Sequence, residues 1–173
     1  MKIIKSVRID KPSADVWQVV GEEFDQAYLW MSFVKHSFAI DNPEMPSTAP
    51  MGGRVCRFGE TENSAYAEEE IINYDPVSRT ISFIVYPKNT PALLPVRSNE
   101  VSIQVKSINP NQCEVIWTSS PDIKALGLIL SPLLKFGLGK SFQTILKELK
   151  AYSENRDFQL TPPIDQQNNI QMT

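Results

Sequence analysis

The chain has 173 residues, 42% of them hydrophobic and 21% charged, which is typical of one globular domain that folds without a disulfide or a metal. Its formal net charge of −3 and pI near 5.2 give no basic surface, so we exclude nucleic acid as a partner. The first residues, "MKIIKSVRID", lack the apolar run of a secretory signal, so we expect a cytoplasmic protein.

Cysteine and histidine are scarce, which limits the chemistry. Cys56 and Cys113 are the only cysteines and His36 is the only histidine, too few for a thiolate or histidine metal centre. We therefore expect no metal, no cofactor and two small buried cysteines. A Ser–His–Asp arrangement would have to use His36.

The first predicted elements are a strand over about 2–9 and a helix. Pro12 suits the first turn of that helix, and Ser13 or Asp10 could cap it. An apolar stripe at helical spacing follows, formed by Val16, Val20 and Phe24. We expect a second short helix or turn around "FDQAYLWMSFVKHSF" and then a loop through "DNPEMPSTAPMGG".

From Arg54 onward the apolar spacing changes to two, which predicts strands. Five strands are expected, in "RVCRFGE", "AYAEEEIINY", "TISFIVY", "SNEVSIQVKS" and "QCEVIWTSS". The turns in "YDPVSR" and "INPNQ" are short, so consecutive strands are antiparallel. The connection "PKNTPALLPVR" is longer, and we expect it to be a lid or to pack Leu93 on the last helix.

The last predicted element is a long amphipathic helix. Its apolar stripe is Leu138, Phe142, Ile145, Leu149 and Tyr152. Before it, the run Leu126 to Leu138 is too short to cross a membrane, and it could close a cavity, touch a membrane or form the seam of a weak homodimer. Within the run, Ser131 and Pro132 either start a new helix or kink a single one. We expect one domain over 1–155 and a disordered tail over 156–173.

This order of elements predicts an α+β fold. An antiparallel sheet of six or seven strands that is covered on one face by one long helix curls around that helix. Such a wrap, the helix-grip arrangement, leaves a cavity between sheet and helix.

Several motifs add a family resemblance. They are "I-x-K-P-S-A-D-V-W-Q-V-V", "W-x-x-F-V" from Trp30, "M-G-G-R-V" from Met51, "E-x-x-x-x-Y-D-P-x-x-R-T-I-S-F" from Glu69 and "L-K-x-Y-x-E" from Leu149. Over residues 2–155 the chain resembles the START-related SRPBCC superfamily, and within it the polyketide cyclase/dehydrase-like branch. The resemblance implies the helix-grip fold and a cavity for a hydrophobic ligand. Its members include lipid carriers, plant hormone receptors, cyclases and chaperone activators.

The three consecutive glutamates in "YAEEEIINY" lie on two faces of one predicted strand. Glu68 and Glu70 share a face with Tyr66 and Tyr74, whereas Glu69 lies on the other face with the small residue Ala67. On the watered face, carboxylates would pair with Arg54, Arg57 or Arg79 at little energetic gain. The resemblance implies that Glu69 points into the cavity, where it would be a polar anchor with Lys35 or His36 as partner. The alternative is an ordinary glutamate at the surface or at the rim of the cavity.

Three functions remain open. The first is the binding of a lipid, polyketide or aromatic in a cavity of at least roughly 300 Å3. Its further lining would be Trp30, Phe33, Phe83, Leu93, Leu94, Trp117, Leu138 and Phe142. The simplest interpretation of Trp30, Phe33, Phe83 and Trp117, however, is that they are core residues. The second is a cyclase or dehydratase that uses Glu69, His36 and Tyr66 as acid/base groups. The third is a protein-interaction module that uses the apolar run before the last helix, in the manner of chaperone activators.

Overall fold

A computed structural model of the chain describes residues 2–90, 95–123 and 131–157, with the backbone alone for 131–136. It has an α+β fold with one antiparallel sheet in the order β1-β7-β6-β5-β4-β3-β2. The strands are β1 Ile3–Ile9, β2 His36–Ile40, β3 Gly53–Arg57, β4 Tyr66–Asp75, β5 Thr80–Lys88, β6 Val96–Asn109 and β7 Gln112–Ile123. The predicted helix-grip fold, a curled sheet of six or seven strands with a C-terminal helix, is confirmed with seven strands.

The N-terminal helical segment is not the single helix that the sequence predicts. It consists of helix α1, Ser13–Trp17, a π-helical turn over Gln18–Glu22 and a 3-10 helix over Phe24–Leu29. Pro12 occupies the N-cap position, and no side chain caps the helix. The predicted stripe is nevertheless correct, because its residues are buried in the core: Val16, Val20 and Phe24.

Strand β2 was expected to be part of a helix or turn. It pairs with β3 in a register that places Phe38 opposite Val55. Most of its side chains are exposed, so its sequence lacks the alternation by which a half-buried strand is recognised. The pairing with β3 is a long-range contact and determines the conformation of this segment.

Strand β4 contains a β-bulge after Ile71, where the register with β5 shifts. A bulge adds one residue and reverses the side-chain alternation beyond it. Tyr74 therefore lies in the core against Trp17, with ring centroids 5.1 Å apart, and not on the outer face with Glu68. The assignment of Glu69 to the inner face precedes the bulge and agrees with the structure.

The C-terminal helix, α2, spans Ser131–Asn155. Pro132 is the second residue of the described helix. The predicted stripe packs on the core through Phe142, Ile145 and Leu149, with Leu138 and Tyr152 partly buried. The helix crosses β1, where Lys150 donates a hydrogen bond to the carbonyl oxygen of Arg8 at 2.9 Å.

Some sequence-based expectations lie outside the described residues. They concern Leu93 and Leu94 at the tip of the long connection, most of the run Leu126 to Leu138, and the tail beyond Asp157. The division into one domain and a tail therefore stays a prediction. Within the described residues, no helix has both the length and the hydropathy that a membrane crossing needs.

Candidate functional site

A cavity of about 140 Å3 lies between the inner face of the sheet and α2. Strands β3 to β7 contribute its floor, α2 covers it, and the segment after the 3-10 helix closes one side. Its lining is mainly apolar: Met31, Phe33, Val34, Phe58, Ala67, Phe83, Val85, Val101, Trp117, Phe142 and Ile145, with Arg54, Cys56, Glu69 and Asn99. The volume is below the roughly 300 Å3 that the sequence-based hypothesis required.

The polar centre of the cavity is an ion pair between Arg54 on β3 and Glu69 on β4. The antiparallel register places these two residues directly opposite each other. Nε and Nη2 of Arg54 both lie 2.7 Å from Oε2 of Glu69, and Nη1 donates to the carbonyl oxygen of Phe24 at 2.6 Å. All three guanidinium nitrogens therefore have a partner.

The surroundings of Arg54 keep its guanidinium protonated although it is buried. The guanidinium lies over the ring of Phe24, 3.9 Å from the ring centroid, which is a favourable cation–π distance. Burial by itself lowers the pKa of Arg54, but the electrostatic influence of Cys56 and Glu69 outweighs it, so the pKa is raised. The pair as a whole is neutral, as buried charges must be unless they bind something else.

Gly53, the second glycine of the "MGG" motif, directly precedes Arg54 and allows β3 to lie close to β4. A Cβ at position 53 would lie 2.0 Å from the carbonyl oxygen of Glu69. Only glycine permits the backbones of β3 and β4 to approach so closely. The motif thus positions the ion pair.

Cys56 shares the inner face of β3 with Arg54. Both cysteines are free and buried, as predicted. Burial raises the pKa of the Cys56 thiol to about 12, so the thiol is protonated at neutral pH and is a poor nucleophile. Cys56 therefore contributes a neutral, weakly polar wall to the cavity.

A second polar feature, which we call the β6–β7 corner, consists of Asn99, Trp117 and Ser119. Ser119 donates a hydrogen bond to Oδ1 of Asn99 at 2.8 Å. The indole of Trp117 stacks on Phe142, with centroids 5.8 Å apart, and meets Phe83 edge-on at 6.4 Å. Its buried Nε1 has no hydrogen-bond partner among the described residues.

Five of the residues proposed from the sequence line this cavity: Phe33, Glu69, Phe83, Trp117 and Phe142. Phe33 is also 43% exposed and contacts Phe58 with ring centroids 5.8 Å apart. A residue that is both lining and exposed marks the place where the cavity meets solvent. We therefore describe the Phe33–Phe58 pair as the mouth of the cavity.

Other proposed residues lie elsewhere. Lys35 is exposed, whereas the preceding Val34 lines the cavity. His36 is also exposed, and its Nε2 lies 3.4 Å from Oε2 of Glu60 on the surface. The cationic partner of Glu69 is therefore Arg54, and neither Lys35 nor His36 takes that role.

Three further candidates also lie away from the cavity lining. Tyr66 is half-buried at the start of β4, below the guanidinium of Arg57 at 5.6 Å. Trp30 is buried, but it lines a different depression, an open one of about 300 Å3 between the 3-10 helix and α2. Leu138 packs against the core from α2 without lining the cavity.

The sequence reasoning missed Arg54 as an inner residue, although one signal was present. Cys56 was expected to be buried, and residues two apart on a strand share a face. That rule places Arg54 inside together with Cys56. Asn99 and Met31 carried no comparable signal, because their positions in the lining depend on long-range packing.

Within the part of the chain that the structure describes, no group of three or more His, Cys, Asp or Glu residues could hold a metal ion. The titratable side chains of the cavity are Arg54, Cys56 and Glu69. The arrangement can enclose the apolar part of a ligand and offers hydrogen bonds to the ligand's polar atoms at two places, Glu69 and Asn99.

The chain is similar to a known protein family and to several solved structures. A family model described as "Polyketide cyclase / dehydrase and lipid transport" matches residues 1–154. No curated protein matches the chain. Among solved structures, a START superfamily protein from Mycobacterium smegmatis is similar with a TM-score of 0.69 and 14% identity, covering 92% of this chain and 99% of that one.

Two other solved structures show the same similarity. The Zhui aromatase/cyclase from Streptomyces sp. R1128 has a TM-score of 0.67 and 12% identity, covering 90% of this chain and 94% of that one. A protein from Thermobifida fusca has a TM-score of 0.58 and 21% identity, with 90% and 97% covered. At these identities the likenesses show the fold and nothing finer.

Proposed function

Because the chain belongs to the polyketide cyclase/dehydrase and lipid transport family, we propose that it binds a small, largely apolar molecule in the cavity between the sheet and α2. The observation that carries the proposal is the cavity itself, which is apolar apart from an ion pair, a thiol and an amide. Ligand sites usually combine such a lining with a few polar groups that fix orientation.

The size of the cavity limits the enclosed part of the ligand. An engineered apolar cavity of about 150 Å3 binds benzene, and the present cavity measures about 140 Å3. We infer that it encloses one ring or a short alkyl chain. A longer ligand would extend through the mouth at Phe33 and Phe58.

Glu69 is the proposed polar anchor. Its Oε2 is occupied by Arg54, whereas Oε1 has no hydrogen-bond partner among the described residues. A carboxylate oxygen accepts hydrogen bonds, so Oε1 would accept one from a ligand hydroxyl. Arg54 positions this carboxylate, and its three guanidinium nitrogens already have partners.

A cyclase or dehydratase is the alternative within the same family. Such a reaction needs two titratable groups within hydrogen-bond reach of one reacting atom. His36 and Tyr66, which were candidates for this role beside Glu69, lie outside the cavity, and the Cys56 thiol is protonated. The described lining therefore favours binding over acid/base catalysis. The third reading, an interaction module, concerns residues outside the described ones and stays a prediction.

The proposal is tested by titrating the protein with toluene and following its amide signals by NMR. Ala67 lines the cavity, so Ala67→Leu should fill part of it and weaken toluene binding at least about tenfold, since a ligand cannot share space with the new side chain. Ala39→Leu, at an exposed position on β2, is the matched control and should bind as the wild type does. Absence of toluene binding, or equal binding by Ala67→Leu, would contradict the proposal.

A further inference from the structure

The β6–β7 corner contains a buried donor that the fold itself does not use. Trp117 is 4% exposed, lines the cavity and leaves its Nε1 without a partner among the described residues. Buried donors in native proteins nearly always have a partner, because leaving one unpaired is costly. An indole N–H can only donate, so the missing partner is an acceptor.

We propose that this corner binds an uncharged oxygen acceptor of the ligand, so that the ligand is a neutral aromatic molecule with a carbonyl or ether oxygen. The inference rests on the proposed function, because it concerns the same cavity. It adds a substrate class: oxygenated neutral aromatics are preferred to hydrocarbons and to carboxylates.

Asn99 supports the same chemistry. Its Oδ1 accepts the hydrogen bond from the buried Ser119, which fixes the orientation of the amide. Its Nδ2 is thereby left as a second donor, with no hydrogen bond among the described residues. Asn99 and Trp117 line the same cavity, so each offers a ligand acceptor a neutral hydrogen-bond donor there.

The other end of the cavity argues against an anionic ligand. The three guanidinium nitrogens of Arg54 already have partners, and Glu69 balances its charge. A ligand carboxylate would enter an apolar space that already contains the Glu69 carboxylate and has no free cation among the described residues. Burying an unpaired charge is strongly unfavourable, so anionic ligands are rejected.

The test compares acetophenone with α-methylstyrene, which differ in having C=O or C=CH2 at the same place. In Trp117→Phe, which removes the donor, we expect the ratio of the dissociation constants of acetophenone and α-methylstyrene to rise by about threefold to tenfold, the usual range for one neutral hydrogen bond. Any added space affects both ligands and largely cancels in the ratio. Trp17→Phe, which alters a buried tryptophan packed on Tyr74, should leave the ratio unchanged.

A second measurement uses the unaltered chain, in case Trp117→Phe does not fold. The protein has three tryptophans, so an 15N-labelled sample gives three indole N–H signals. Acetophenone should shift the Trp117 signal downfield, whereas α-methylstyrene should not. Benzoate should bind at least about tenfold more weakly than acetophenone because of its charge.

The outcomes separate this inference from the proposed function. If both neutral probes bind but neither the ratio nor the indole signal responds as expected, the acceptor site is wrong and the apolar binding site stands. If benzoate binds more tightly than acetophenone, the preference for neutral ligands is wrong. If no probe binds, the proposed function and the inference fall together.

Discussion

Glu69, the middle residue of the three consecutive glutamates, differs from its neighbours in having a buried partner. Its pair with Arg54 is enclosed, whereas Glu68 pairs with Lys88 at 2.8 Å near the surface. Removing one partner of a buried pair leaves an uncompensated charge, while removing both does not. The two pairs on this strand therefore differ in what they contribute to folding.

We predict that Glu69→Leu lowers the free energy of unfolding by about 3–5 kcal/mol, because it leaves Arg54 charged and unpaired in the interior. The double variant Arg54→Leu/Glu69→Leu should recover a large part of this loss. Urea denaturation at pH 7 measures both effects. Lys88→Leu is the control, and the loss of its exposed pair should cost less than about 1 kcal/mol. A double variant that loses the sum of the two single losses would show that the charges do not interact.

The buried thiols predict a loss of stability in alkali. Burial raises the pKa of Cys56 from 9.0 to about 12 and that of Cys113 to about 11. Between pH 9 and these values the unfolded chain releases thiol protons that the folded chain retains, so the unfolded state gains stability as the pH rises. The contribution of the two buried thiols to stability is therefore complete below about pH 9, and it is lost as the pH rises from there through their folded-state pKa values of about 12 and about 11.

The measurement is urea denaturation at pH 7, 9 and 10.5 for the wild type and Cys56→Ala. Each raised group lowers the free energy of unfolding by at most about 1.4 kcal/mol per pH unit in this window. Cys56→Ala should therefore show a shallower decline than the wild type, although it is less stable at pH 7. Equal slopes in the two proteins would mean that Cys56 titrates normally when folded.

Among the helices, strands and turns, those whose conformation depends on nearby residues were predicted from local patterns in the sequence. The alternation of Val101, Ile103 and Val105 indicated β6, and the stripe through Phe142 and Leu149 indicated α2; the structure confirms both elements. The Asp75 side chain accepts hydrogen bonds from the backbone nitrogens of residues 77 and 78 at 2.9 and 3.1 Å, as the "YDPVSR" turn predicts.

Features that depend on pairing between distant strands were not predictable in this way. Strand β2 has no alternating burial of its own, and the bulge after Ile71 is visible only in the register between β4 and β5. The Arg54–Glu69 pair likewise depends on the register between β3 and β4. The sequence thus indicated Glu69 as an inner residue but not the cation that faces it.

An ion pair, which we call the clamp, joins the end of α2 to the N-terminal helical segment. Nη1 and Nη2 of Arg156, just after α2, donate to the two carboxylate oxygens of the buried Glu23 at 2.5 and 2.9 Å. Charged two-point hydrogen bonds of this kind are among the strong ones. We expect Arg156→Met to lower the free energy of unfolding by about 1.5–3 kcal/mol, measured by urea denaturation.

Arg97→Met is the matched control for the clamp. Arg97 lies 3.9 Å from Asp122, and both side chains are more than half exposed. An exposed pair of this kind contributes between zero and about 1 kcal/mol. If the two variants lose equal stability, the clamp does not hold α2 more firmly than a surface ion pair would.

At the scale of the whole molecule, the cavity results from a sheet that wraps one helix. The sequence predicted that space because one apolar face and one long helix cannot close completely on each other. It could not predict the volume, because about 140 Å3 is what remains after side chains from five strands and a helix have packed. Phe142 is decisive here, since it covers the cavity from α2 and stacks on Trp117.

We predict that Phe142→Ala enlarges the cavity enough for a two-ring ligand. Naphthalene should bind this variant at least about tenfold more tightly than it binds the wild type, and its binding should raise the variant's melting temperature, because a ligand of the folded state alone stabilises that state. The Phe142→Ala variant without ligand should lose about 3–5 kcal/mol of unfolding free energy.

Leu146→Ala is the control, because Leu146 is buried on the same helix but does not line the cavity. It should lose about 2–5 kcal/mol and gain no naphthalene binding. If Leu146→Ala gained the same affinity for naphthalene, general loosening of α2 would determine the size of ligand that fits. If only Phe142→Ala gained it, the Phe142 ring, which stacks on Trp117, is the group that limits ligand size.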